Sequence, residues 1–163
     1  MKSSKVLPYG EGTWFAVPLE QGGFAIGVNA RFKVSRGGGT ALGYFFGPVR
    51  SRVPTLDEIV ALEPEQAINI CRFGDLHLLD GKWPLIGTDP AWDRNRWPFP
   101  DFARREPLTS PPRVWRVTYA NDDPSQRVRE ERIQPDDKKL RPDSLSGADA
   151  VEKVLSYLLP KGQ

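Results

Sequence analysis

The chain is poor in the residues that usually carry covalent and metal chemistry. Its 163 residues include one cysteine, Cys71, and one histidine, His77. A lone cysteine cannot close an intrachain disulfide, which fits a reducing compartment, so a cytoplasmic location is expected. Cys71 and His77 stand six apart, with Gly74 between them to break a shared strand face. A Cys–His nucleophile needs an oriented pair in a pocket, so a buried cysteine and a strand histidine are the simpler reading. These two soft ligands fall short of the about four that a structural zinc site uses. The residues imply no metal and no cofactor. No apolar run approaches the roughly 20 residues of a membrane helix. MKSSKVLPYGEG has no apolar core after its lysines, so it is not read as a signal peptide. Neither charge sign dominates: 23 Lys and Arg against 21 Asp and Glu leave +2. That balance argues against nucleic acid as a partner, and it offers no acidic surface that would mimic DNA. Gly37-Gly38-Gly39 runs into a strand pattern, not into Lys-Ser/Thr and a helix, so no phosphate loop is indicated.

What is present is the patterning of a single domain spanning 1–163, with residues 1–12 as a loose arm. Thr13 to Glu20 reads as a strand, and Phe24 to Val34 alternates strictly, with Phe24, Ile26, Val28, Ala30, Phe32 and Val34 on one face. Alternation of that length predicts a half-buried strand. Arg36 to Gly39 reads as a flexible loop, and Thr40 to Val49 completes a three-stranded meander. Gly43 and Gly47 in that third strand suggest a bend or a close backbone approach. Thr55 and Glu58 have the spacing of a capping box for a short helix ended by Pro64. Ala67 to Phe73 reads as a buried strand. Arg113 to Tyr119 and Arg127 to Ile133 flank the turn at Asn121 to Pro124 and predict a hairpin with a charged edge. After a polar connector at 135–142, Gly147 to Leu159 reads as a helix with Ser146 as N-cap and Asp149 as its capping partner. Its apolar stripe is Ala148, Val151, Val154, Leu155 and Leu158. The fold class is α+β: a mainly antiparallel, strongly twisted or partly barrel-like sheet, with a short helix and a C-terminal helix.

Between them lies FGDLHLLDGKWPLIGTDPAWDRNRWPFPDF, residues 73–102. It is irregular yet rich in aromatics, so it reads as an ordered loop, where recognition residues often sit. Trp83, between a turn and Pro-Leu-Ile-Gly, is expected in the core. Trp92-Asp93-Arg94-Asn95-Arg96-Trp97 sets two tryptophans around two arginines, the residue types enriched at binding hot spots. Trp92, Asp93, Arg94, Arg96 and Trp97 are therefore the candidate partner-binding residues. The bland alternative is that both tryptophans close the core under a long loop.

Several short runs occur in a telling order: Trp14-Phe15-Ala16-Val17-Pro18-Leu19, Gly22-Gly23-Phe24-Ala25-Ile26-Gly27, Gly43-Tyr44-Phe45-Phe46-Gly47, Phe73-Gly74-Asp75-Leu76 and Trp83-Pro84-Leu85-Ile86-Gly87. As a set, from about Trp14 to Phe102, they resemble the immunity protein 26 family of bacterial polymorphic toxin systems. The resemblance implies a small cytoplasmic protein, encoded beside a toxin, that binds and neutralises it without catalysis. The cognate toxin protein would be its partner. It carries no catalytic residues to transfer, and it leaves the final hairpin and helix unmatched.

Two other functions stay open from the residues alone. Asp75, Asp80, Asp93 and Asp101 could supply a carboxylate pair for a hydrolase acting on a glycan-like substrate, and Asp75, Asp80, Asp89 and Asp93 could hold a cation, although turn aspartates more often cap backbone. Arg31, Lys33, Arg36, Arg50 and Arg52, with Phe45 to stack on a base, could make a nucleic-acid-binding module, against the plainer reading of a solvated sheet face.

Overall fold

The computed structural model describes residues 7–35, 38–106, 108, 110–135 and 139–159. The strands divide into two open sheets and do not close into a barrel. The first sheet holds β1 (Thr13–Pro18), β2 (Phe24–Ser35), β3 (Gly38–Arg50), β4 (Asn69–Gly74), β5 (Leu85–Thr88) and the short β10 (Leu145–Ser146), in the order β10-β4-β3-β2-β1-β5. The second holds β6 (Phe102–Glu106), β7 (Arg113–Ala120), β8 (Asp123–Ile133) and the short β9 (Arg141–Pro142), in the order β8-β7-β6-β9. Pairing is antiparallel except where β10 joins β4 and β9 joins β6. The helices are α1 (Leu56–Ile59), α2 (Leu76–Leu79) and α3 (Ala148–Leu158). The α+β class, the β1–β2–β3 meander and the β7–β8 hairpin all match the sequence reading.

The first sheet is the middle layer. In β1, Phe15 and Val17 enter one cluster with Phe45, Phe73, Trp83, Val151 and Leu155 under α3. The alternate residues Trp14 and Ala16 enter another with Phe46, Ile59, Trp97, Phe102 and Val117, between α1 and the second sheet. Side chains alternate across a pleat, so a strand covered on both faces reads as a continuous apolar run. Glycines make room for the rings. A Cβ on Gly43 would lie 2.7 Å from the Phe45 and Phe73 rings, and one on Gly47 would lie 2.5 Å from Leu159.

β2 departs from the half-buried strand that its alternation predicts. Both faces are covered, and even Asn29 and Arg31 are buried. The ladder with β3 slips between Asn29 and Arg31, so Ala30 is an extra residue. An extra residue turns the following side chains to the opposite face. Ile26, Val28 and Ala30 serve the cluster facing the second sheet, while Phe32 packs in the other cluster, edge-on to Tyr9 with ring centroids 5.4 Å apart.

The capping box of α1 is present: the Thr55 amide donates to Glu58 Oε1 at 3.2 Å. α3 differs at its start. Gly147, not Ser146, is its N-cap, because Ser146 is extended in β10 beside Phe73. Asp149 turns instead to His77. Along the helix Ala148, Val151 and Leu155 are buried, whereas Val154 and Leu158 stay exposed. His77 is not on a strand but in α2, which the chain enters directly from β4. Residues 1–6 of the N-terminal arm lie outside the described residues. Its remainder is tied down, with Tyr9 buried and its hydroxyl donating to Asp75 Oδ2 at 2.6 Å. Residues 36–37 of the glycine loop and 136–138 of the connector also lie outside the described residues.

Candidate partner-binding surface

The Trp92–Trp97 segment closes a single 3₁₀ turn, Arg94–Arg96, with Asp93 as its N-cap. The Asp93 carboxylate accepts the Asn95 amide at 3.0 Å, a local bond that aspartate makes readily before a turn. Trp97 is only 4 % exposed and belongs to the core. Its ring meets Tyr44 and Trp14 edge-on, at 5.1 and 5.8 Å between centroids. Trp92 is half-buried and stacks on Trp97 at 5.3 Å. It also covers Gly12, where a Cβ would come within 2.9 Å of the indole. The two tryptophans thus act as core under a loop, with only part of Trp92 reaching solvent.

Arg94 is pinned. Its Nε donates to Glu11 Oε2 at 3.0 Å, its terminal nitrogens reach Glu11 and Asp122, and the Trp92 indole N–H donates to Glu11 Oε2 at 2.9 Å. Partial burial pushes the Glu11 carboxyl up, but the bonds from Arg94 and Trp92 outweigh it and hold the group below its ordinary range. From below, buried Arg31 donates to the Trp97 carbonyl at 3.0 Å and to the Asn121 carbonyl at 2.9 Å. The loop is thereby fixed to β1, β2 and the β7–β8 turn at once. Asp93, Asn95 and Arg96 project from it into solvent, and Arg96 has no ion-pair partner among the described residues. Sequence reasoning did not connect Glu11, Arg31 or Asp122 with the loop, because they lie far from it along the chain.

The candidate carboxylates do not converge. Asp75 is buried and receives the Tyr9 hydroxyl and the Gly39 amide. Asp80 holds His77 and the Lys82 amide, Asp89 the Ala91 amide, and Asp101 lies 3.9 Å from Arg116. The polar recess at Val49–Arg52, the cleft between β4 and α3, and the hollow on β8 are lined by none of them. The basic sheet face fails too. Phe45 is fully buried between Phe15 and Phe73, so no base can stack on it. Arg31 is buried, Arg52 pairs with Glu58 at 3.0 Å, and Arg36 lies outside the described residues. Cys71 is a core thiol that burial pushes up to about 12, too high for a thiolate at neutral pH.

Fold and surface together define a layered α+β protein whose aromatic core supports a pinned, charged loop. The chain belongs to the Immunity protein 26 family, which it matches over residues 10–113. The match takes in β1 to β6 and ends at the first residue of β7, so β8 and α3 lie beyond it. No curated protein and no solved structure matches the chain. Among the described residues no helix is long and apolar enough to cross a membrane.

Proposed function

We propose that the protein binds a cognate bacterial toxin in the cytoplasm and neutralises it by occlusion, without catalysing a reaction. Membership of the immunity protein family carries this reading. The pinned loop supports it, since a surface held rigid before binding loses little conformational entropy when a partner arrives. In this reading Asp93, Arg96 and the open edge of Trp92 make contact, while Arg94 and Trp97 position them. Co-expression with the toxin encoded beside this gene tests it, with growth rescue and a pull-down as readouts. The wild-type chain protects and is retained. Asp93→Ala combined with Arg96→Ala weakens retention at least tenfold while the melting temperature holds. A wild-type chain that neither binds nor protects removes the function. Full retention of the double variant removes only the surface.

A second surface is favoured by one observation. β8 forms the outer edge of its sheet, exposes eight of its 11 residues, and lies outside the family match. A surface that differs between family members to suit different toxins would sit in such a place. If reversing the charges of Arg129 and Arg132 abolishes retention and the loop variant does not, β8 is the contact.

A further inference from the structure

We propose that His77, Asp149 and Glu152 bind a divalent transition-metal ion, zinc in the first instance, that ties α2 to α3. His77 is 6 % exposed, and its Nε2 faces α3 with Asp149 Oδ1 at 2.9 Å. Asp149 and Glu152 are three residues apart on α3, so they share a face. One ligand atom from each of the three residues lies within 4.8 Å of the other two. A tetrahedral ion with bonds of about 2.1 Å holds its ligand atoms about 3.4 Å apart, so small side-chain rotations complete the set.

The surroundings are those a metal site needs. Metal-bound imidazoles are oriented by a carboxylate on the second ring nitrogen. Here Asp80 Oδ2 lies 3.1 Å from His77 Nδ1, and its other oxygen is fixed by the Lys82 amide at 2.8 Å. Glu152 is oriented as well. The indole N–H of Trp83 donates to its Oε1 at 2.8 Å, leaving Oε2 free to ligate. That donor is immobile, because Trp83 is fully buried and stacked on Phe15. Two carboxylates balance a dication, and the imidazole favours zinc-like ions over magnesium or calcium. Asp149 is 76 % exposed at its side chain, so an ion can enter and water can fill the remaining position. Two cations act on Asp149: Lys153 on α3, and Lys82, whose Nζ lies 4.0 Å from it on a largely exposed side chain that can swing away. Sequence reasoning could not assemble this set, because His77 and Asp149 are 72 residues apart.

Titration of the full chain with zinc chloride at neutral pH tests the site, read by calorimetry and by the melting temperature. The expected result is one zinc per chain and a higher melting temperature, with no response to magnesium. Asp149→Asn, compared with its own metal-free melting temperature, lowers zinc affinity at least tenfold and abolishes the zinc-induced shift. Asp80→Asn lowers affinity by about 10–100-fold through the ring orientation, and Lys82→Ala tightens binding. Cobalt gives visible absorption bands in the wild type that Asp149→Asn loses. No zinc response, an equal response in Asp149→Asn, or magnesium acting as zinc does would overturn the proposal. His77 would then only bridge Asp80 and Asp149 through its two ring nitrogens.

Discussion

β3 buries eight of its 13 residues, whereas β8 exposes eight of its 11. Both are long antiparallel strands, and their sheets lie against each other. The difference comes from layering. The first sheet has α3 on one side and the second sheet on the other, so its strands need apolar side chains in both directions. The second sheet is covered on one face only, and its outer edge carries charge. Charged edges stop strands from pairing with other chains. On β8 those charges also pair among themselves, Arg127 with Glu130 at 2.8 Å and Arg129 with Glu131 at 3.2 Å. Burial is therefore concentrated in the β1–β3 meander and its two covers, while β8 carries an exposed, charged face.

Substitutions should reproduce that contrast. Trp83→Ala removes a fully buried indole from the first cluster and is expected to cost about 3–5 kcal/mol, read by urea denaturation. Val128→Ser on β8, where the side chain is more than half exposed, should stay within about 0.5 kcal/mol. Similar losses for the two would break the comparison. Asp143→Ala tests the joint between the sheets. Arg72 of β4 donates to Asp143 at 3.2 Å and lies 4.0 Å over the Tyr119 ring of β7. Leaving that buried guanidinium without its carboxylate should cost about 3 kcal/mol. Gly43→Ala adds a methyl against Phe45 and Phe73, an overpacking expected to cost about 1–3 kcal/mol in thermal melts.

The smallest effect concerns pH at the pinned loop. Folding lowers the Glu11 carboxyl below its ordinary value of 4.5. Its contribution is therefore complete above that value and fades as pH falls through the lower folded one. Acid titration of stability should show a shallower loss over that interval in Glu11→Gln than in the wild type. Equal slopes would mean that Arg94 gains nothing from Glu11.

Much of this architecture is legible in the sequence, for identifiable reasons. The meander, the capped α1 and the β7–β8 hairpin rest on local signals: alternation, a capping box, and turn residues between strand runs. The aromatic–glycine runs point to the family because rings need glycine backbones beneath them, as at Gly43. The misses are nonlocal. β5 and β6 are only four and five residues long, too short to stand out, and they become strands by pairing with β1 and β7. The fate of Trp92 and Trp97 depended on Glu11, Arg31 and Tyr44, which no spacing within the loop can reveal. Both faces of β2 are covered because a second sheet exists, and one strand's alternation cannot report that.

The extra residue in β2 has a consequence for how the molecule opens. Ile26 and Phe32 sit on one continuous strand yet anchor in different clusters. Neither cluster can melt without releasing a strand that the other still grips, so partial opening of one layer is suppressed. Amide hydrogen exchange along β2 should then proceed at one slow rate on both sides of Ala30.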